Sequence, residues 1–239
     1  MRNNNPMKYV NDKELHYELV RKYFRKSAED KSGFYNSKSA EEIEHELKKR
    51  RMWRIYTSTL DDILKKDSEI SSVIDAACGM GNFTIELVKR NHFKKIVGID
   101  FLKETFDIAC KNKQMFGNIF FLQGNLLNLP IVDKSFDFTV CLNTLHHIHK
   151  NDLSKAVYEL TRITKKYLMI EIRNKDYIFE FWFNKILLPK LYRDLPVCCS
   201  SISELNDLMK KNGFELRIIR GNNLLTRASW RLLLVYERI

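Results

Sequence analysis

Apolar residues recur at helical spacing between Asp12 and Lys26, at Leu15, Leu19, Val20, Tyr23 and Phe24, which predicts an amphipathic helix behind about ten loose residues. The stretch 31–37 is turn-like. Ser39 then reads as an N-cap with Glu42 three residues on, a capping box that opens a long helix from about Ala40 to Lys66, broken near Thr57–Thr59. From Val73 the period changes. Short buried runs, at Val73-Ile74, Lys95–Asp100, Ile119–Gln123 and Tyr167–Arg173, read as strands, with a further strand and its loop within Asp133–Ile148. Helix-spaced segments at Phe83–Arg90, Lys103–Phe116 and Asp152–Thr164 lie among them. A helix over Ser203–Asn212, stopped by Gly213, precedes two final strands, Phe214–Arg220 and Trp230–Arg238. Five strands alternating with helices and then two in a row predict an α/β domain around a mostly parallel sheet.

The chemistry gathers at the ends of the first strands. In Ser72-Val73-Ile74-Asp75-Ala76-Ala77-Cys78-Gly79-Met80-Gly81-Asn82-Phe83-Thr84 an apolar run stops at an acid, turns through small residues and opens into a helix. Gly79 and Gly81 let backbone approach a ligand, and the first-turn N–H groups of the helix face the same space. The spacing Asp-x-x-x-Gly-x-Gly is neither the three-glycine dinucleotide pattern nor a phosphate loop. A carboxylate at Asp75 repels phosphate and suits a cationic or hydroxyl-bearing ligand. Asp100, at the end of the second strand and 25 positions on, can accept hydrogen bonds from two ribose hydroxyls; as a simple alternative it caps the following helix.

These segments resemble the class I S-adenosylmethionine-dependent methyltransferases, small-molecule type, and among them the quinone-biosynthesis enzymes. The first turn is similar to motif I of that family, hydrophobic-hydrophobic-Asp/Glu-x-Gly-Cys-Gly-x-Gly, with Ala77 in place of the first glycine. Gly124-Asn125-Leu126-Leu127-Asn128-Leu129-Pro130 resembles its Gly-Asp-x-x-x-Leu-Pro segment, and Asp133 to Ile148 its fourth strand and the loop behind it. The resemblance spans about residues 55–239 and is closest over 72–148. It implies a Rossmann-like seven-stranded sheet, mostly parallel with the last strand antiparallel, helices on both faces and an N-terminal helical cap. The implied division is a cap over 1–66 and a methyltransferase domain over 67–239, with an acceptor lid inserted at about 175–200.

The resemblance also implies the ligands. S-adenosylmethionine, leaving as S-adenosylhomocysteine, is expected on Asp75, Ala77, Cys78, Gly79, Gly81, Asp100, Phe101, Asn125, Leu126, Asn143 and Thr144. Phe101 would lie against adenine, Asn125 would keep an acceptor for its amino group, and Leu126 would offer a backbone N–H. His146 and His147 stand where the acceptor approaches the methyl, and either could take its proton. A metal is not expected at His146-His147-x-His149, because no acid or cysteine stands nearby at ligand spacing. The N-terminal helices would close over the site with Tyr35, Tyr56, Arg51 or Arg54. Arg173, at the end of the fifth strand, could hold an acidic acceptor or pair with Glu171 or Asp176. Residues 176–192 carry six aromatics, Trp182 among them, and little charge. As a lid they imply a greasy or aromatic acceptor, since burying such surface is favourable; a dimer contact and ordinary core are the alternatives.

Composition restrains these readings. The 239 residues, 44% apolar and 30% charged, suit one α/β domain with additions, and no run of about 18 apolar residues or secretory leader is visible. Five cysteines without metal-like spacing fit reduced thiols, so a cytoplasmic location is expected. The net charge of +11 is scattered. Its one dense block, Lys48–Arg51, follows Glu41, Glu42, Glu44 and Glu46 on one helix, with Glu44–Lys48 and Glu46–Arg50 spaced as ion pairs. Nucleic acid is therefore not the expected partner, while docking on a membrane surface is a variant of the lid reading. The expected activity is methyl transfer to a small apolar or aromatic acceptor by a monomer or homodimer. An RNA or protein methyltransferase, or a non-catalytic cofactor-binding regulator, are the alternatives.

Overall fold

The computed structural model describes residues 12–30, 40–113, 119–177, 195–222, 226 and 229–239. Seven strands form one sheet in the order β3-β2-β1-β4-β5-β7-β6: β1 Ser72–Ala76, β2 Lys95–Asp100, β3 Ile119–Gln123, β4 Phe136–Cys141, β5 Thr164–Arg173, β6 Phe214–Gly221 and β7 Arg231–Arg238. The first five pair in parallel, and β7 runs antiparallel between β5 and β6. All five residues of β1 are buried, as a central parallel strand covered on both faces demands.

The pleat sorts β1 between two cores. Ile74 and Ala76 enter one cluster with Leu160 of α6 (Leu153–Ile163) and Leu205 and Met209 of α7 (Ile202–Lys211). Val73 enters the other with Tyr56, Leu60 and Ile63 of α3 (Arg51–Lys66) and Phe83 and Leu87 of α4 (Asn82–Lys89). Val73, Ile74, Leu60 and Leu87 have no exposed surface, and each such side chain contributes about 1.5–3 kcal/mol by burial. The reversal of order at β1, between β2 and β4, leaves a crevice at the strand tips where such sheets hold ligands.

The expected strands and helices stand within a few residues of their observed bounds, with three corrections. The second helix breaks at Arg50, which is extended (φ −74°, ψ 127°), giving α2 Ala40–Lys49 and then α3. Thr57, Ser58 and Thr59 stay helical, each hydroxyl donating to the carbonyl of Arg54 or Ile55 one turn back and so leaving no competing turn. Between β3 and β4 a turn, not a helix, makes the connection. Glu44 pairs with Lys48 as spaced, but also with Lys89 of α4, and Glu46 pairs with Lys49. The proposed cap at Ser39 lies outside the described residues.

The first helix, α1 (Lys13–Glu29), packs on α5 (Lys103–Lys113). Its N-cap Asp12 accepts from the amides of Glu14 and Leu15. The face it turns inward is not the stripe expected. Leu15 and Tyr23 are 44% and 41% exposed, while His16, Val20 and Ala28 are buried. Polar anchors set this rotation: Lys13 Nζ and Tyr17 Oη donate to Asp152 at 2.7 and 2.8 Å, and His16 Nε2 donates to the His147 carbonyl at 2.9 Å. No helix among the described residues is long and apolar enough to cross a membrane.

Candidate functional site

β1 ends in a turn with three left-handed residues in five: Ala77 (φ 63°), Gly79 (φ 56°) and Gly81 (φ 81°). The turn is tied to the end of β2, since Cys78 N–H donates to the Ile99 carbonyl at 3.0 Å and Gly79 N–H to Asp100 Oδ2 at 2.9 Å. A Cβ on Gly79 would meet nothing within 4 Å, so a ligand can reach this backbone. At Gly81 a Cβ would stand 2.9 Å from the Phe121 ring, so that glycine serves packing and does not line the cavity. Ala77 adopts the left-handed form with a Cβ, at a cost of about 1–2 kcal/mol. The site thus carries strain where the family pattern has glycine.

A cavity of about 340 Å³ opens above these tips, within the range of small-molecule sites. Ala77, Cys78, Gly79, Asp100, Phe101, Asn125, Leu126, Asn143, Thr144 and His147 line it, so ten of the expected residues are brought together. Asp100 is held by three donors: Gly79 N–H on Oδ2, and Leu102 N–H (3.0 Å) and Thr105 Oγ1 (2.9 Å) on Oδ1. It therefore caps α5 and tethers the turn, and about one of its four acceptor positions is left for a ligand hydroxyl. Burial pushes its carboxyl up, against the pull of those hydrogen bonds. Asn125 spends an Oδ1 lone pair on Leu127 N–H at 2.9 Å, an Asx turn that fixes the loop.

Several expected residues stand elsewhere. Asp75 lies beneath the turn, 2% exposed, accepts from Thr84 Oγ1 at 2.7 Å and does not line the cavity. Burial, with Asp100 nearby, pushes its carboxyl up to about 7. His146 also misses the cavity: it is buried with its ring 3.9 Å from that of His147, and neither nitrogen has a hydrogen-bond partner. The 3₁₀ turn Leu145–His147 aims the two rings differently, so only His147 reaches the lining. Its Nδ1 meets the Pro196 carbonyl at 3.3 Å, which assigns the proton to Nδ1 and leaves Nε2 as an acceptor. Burial, with Arg173 nearby, pushes His147 down to about 3, so the ring is neutral at physiological pH.

Arg173 is 2% exposed and does not line the cavity. It pairs with Glu171, and its Nη2 donates to Asn143 Oδ1 at 2.8 Å, steadying a left-handed Asn143 (φ 55°) at the cavity wall. Glu171, fully buried, also takes Arg231 Nε at 2.7 Å and the Tyr56 hydroxyl. This cluster binds Tyr56 below the cavity, which Tyr56 does not line; Arg51 and Arg54 are exposed and also absent from the lining. Tyr35 and Trp182 lie outside the described residues, as do residues 178–194 of the expected lid.

Residues not expected in the site complete the lining, although Val20 and Phe24 belong to the apolar stripe read from the sequence. They include Tyr17, Val20, Arg21 and Phe24 of α1, and Trp53 of α3. Spacing at i, i+3, i+4 and i+7 from Tyr17 held the signal, but the more apolar stripe one position round the helix masked it.

Residues 73–167 match the family described as a methyltransferase domain. An uncharacterized methyltransferase, YcgJ, of Bacillus subtilis is 28% identical over 158 residues, 64% of this chain and 60% of that protein. A demethylmenaquinone methyltransferase of Bacillus licheniformis is 28% identical over 120 residues, 50% of this chain and 49% of the other. The chain thus spans about half to three fifths of these relatives' own lengths. Among solved structures, magnesium protoporphyrin IX methyltransferase (ChlM) from Synechocystis PCC 6803 with bound SAM superposes with a TM-score of 0.66 at 17% identity. That alignment covers 98% of this chain and 100% of ChlM, and it shows the shared fold. Residues 73–167 are thus similar to a methyltransferase domain, and the chain shares its fold with ChlM.

Proposed function

We propose that this protein transfers a methyl group from S-adenosylmethionine to a small, apolar or aromatic acceptor. The observation that carries the reading is one continuous cavity joining the Ala77–Met80 turn and Asp100 to an aromatic wall of Phe24, Trp53 and Phe101. The residues present fit the cofactor. The open approach at Gly79, the acceptor position left on Asp100 and the flat face of Phe101 suit a nucleoside carrying an amino-acid tail. Asn143 and Thr144 would meet that tail, and Leu126 and Asn125 the base. S-adenosylmethionine supplies a methyl group that its sulfonium already makes electrophilic.

The chain's own residues then have little covalent work, and position and desolvation supply most of the rate. Met80, Leu142 and Ile148 exclude water around the reacting atoms. His147, neutral and with Nε2 free to accept, orients an acceptor hydroxyl; held near 3 it is a weak base at pH 7, so it suits an acceptor that arrives already ionised. Relatives named for demethylmenaquinone and for magnesium protoporphyrin support the small-molecule reading.

The test is transfer of tritiated methyl from S-adenosylmethionine in the presence of a cell extract. Label in the organic phase supports the proposal. Label confined to acid-precipitated RNA or protein, or no protein-dependent transfer, overturns it.

A further inference from the structure

Five residues of α1, Tyr17, Val20, Arg21, Phe24 and Ser27, share one helical face and all line the cavity. The helix is pinned at both ends of this face. Tyr17 is held by Asp152 on the far side of the loop after β4, and Arg25 Nε donates to Glu104 Oε1 at 2.7 Å at the start of α5. Between the pins, Phe24 stands edge-on to His147 with ring centroids 5.2 Å apart. Arg21, one turn from both Tyr17 and Phe24, therefore belongs to the wall that α1 builds beside His147, and its exposed side chain stands at the mouth.

The charge at that wall is unbalanced. Among the described residues, Arg21 is the only Lys or Arg in the cavity lining, and unlike its neighbour Arg25 it has no carboxylate or other hydrogen-bond partner there. Asp100, the one acid of the lining among the described residues, is engaged with Gly79, Leu102 and Thr105. His147 is neutral, and Arg173, the cation expected to meet an acidic acceptor, is spent on Glu171 and Asn143. Val20 and Phe24 flank Arg21 on the cavity side, so an anion held by this exposed guanidinium would have apolar and aromatic surface beside it. A guanidinium at the mouth of an aromatic slot matches a flat skeleton inside and an anion at the rim.

We propose that the methyl acceptor is a planar or apolar organic acid, its skeleton lying against Phe24 and Trp53 and its anionic group held by Arg21. This rests on the methyltransferase reading and deepens it, making Arg21 a specificity determinant. The other carboxylate that could reach such a cation is that of the cofactor's amino-acid tail, so the test separates the two sources.

Calorimetry with 2-naphthoate and its neutral counterpart 2-naphthamide decides the matter, run on the full chain with and without saturating S-adenosylhomocysteine. The expected result is at least tenfold tighter binding of the acid. In Arg21→Gln that preference falls to within twofold, in Arg21→Lys a part of it returns, and S-adenosylhomocysteine affinity stays within threefold of wild type. Equal binding of the two probes, no binding of either, or a preference that survives in Arg21→Gln overturns the proposal. So does a tenfold loss of S-adenosylhomocysteine affinity in that variant, which would assign Arg21 to the cofactor. Failure of the wild type to bind S-adenosylhomocysteine sinks the cofactor reading instead, while the ligand-free arm still decides whether Arg21 selects an acid.

Discussion

Replacing Glu171 by glutamine removes one charge from a site with no exposed surface. Oε1 takes Arg173 and Arg231, and Oε2 takes the Tyr56 hydroxyl and a second contact from Arg231 at 3.1 Å. Glutamine keeps one acceptor and turns an N–H₂ toward guanidinium donors, so it leaves positive charge buried without compensation. Breaking a buried pair in this way costs about 3–5 kcal/mol, against a total stability of about 5–15 kcal/mol for a domain. At roughly 2–4 °C per kcal/mol for a chain of this size, the melting temperature falls by about 6–20 °C.

The pH dependence gives a second reading of the same change. Burial raises the Glu171 carboxyl, but the two arginines outweigh it and hold the group below its ordinary value. A carboxyl depressed on folding contributes stability that is present above its unfolded pKa and lost as pH falls through the folded one. Urea melts at pH 7 and below pH 4 should therefore show a wide gap between wild type and Glu171→Gln that narrows in acid. A loss under about 1 kcal/mol at pH 7, or a gap that does not change with pH, would refute the assignment of this cluster as a mutually dependent buried network.

Other expectations follow from single residues. Ala77→Gly relieves a left-handed alanine worth about 1–2 kcal/mol and gives back about 0.4–1 kcal/mol through the unfolded chain, so a thermal melt should rise by a few degrees; a fall would show that the alanine methyl earns its place by packing. Asp75, pushed up to about 7, lowers stability as pH rises from about 4 to 7, because the unfolded chain sheds a proton the folded one keeps. Asp75→Asn, which can still accept from Thr84, should accordingly be more stable than wild type above pH 7 by on the order of 2–4 kcal/mol in urea melts, and a pH-independent difference would contradict this. His146→Phe removes two unpartnered ring nitrogens, and each such buried group costs about 1–3 kcal/mol. It should be neutral or stabilising with S-adenosylhomocysteine affinity unchanged; a loss above about 2 kcal/mol would show that the ring is held by something other than packing.

The fold was legible because it is written in periods. Val73-Ile74 and Lys95–Asp100 are too short and too evenly apolar for helices, and the glycines behind Asp75 mark the only turn that lets β1 feed α4. Asp100 follows from its position at the tip of β2, whereas Asn125 and Asn143 were reached through the family resemblance. What stayed hidden depends on partners far along the chain. Arg173 carried two readings, an acceptor-binding cation or a partner of Glu171, and the structure gives the pairing; nothing local reveals that Asn143 also claims it, or that β7 brings Arg231 beside them. The helical cap was expected, but the face α1 presents stayed hidden for the same reason: His16 and Tyr17 set its rotation through His147 and Asp152, more than 130 positions away. His146 and His147 are alike in sequence, and only the 3₁₀ turn separates the one that lines the cavity from the one that does not.

The central claim is that a sulfonium nucleoside sits over the tips of β1 and β2, and titration calorimetry with S-adenosylhomocysteine on wild type and Asp100→Ala tests it most directly. Loss of the ribose contact and of the Gly79 tether should weaken binding by about 1–3 kcal/mol, roughly 5- to 150-fold, with α5 still folded by circular dichroism. Wild type that binds no S-adenosylhomocysteine at millimolar concentration, or an Asp100→Ala protein that binds it as well as wild type, would contradict the account.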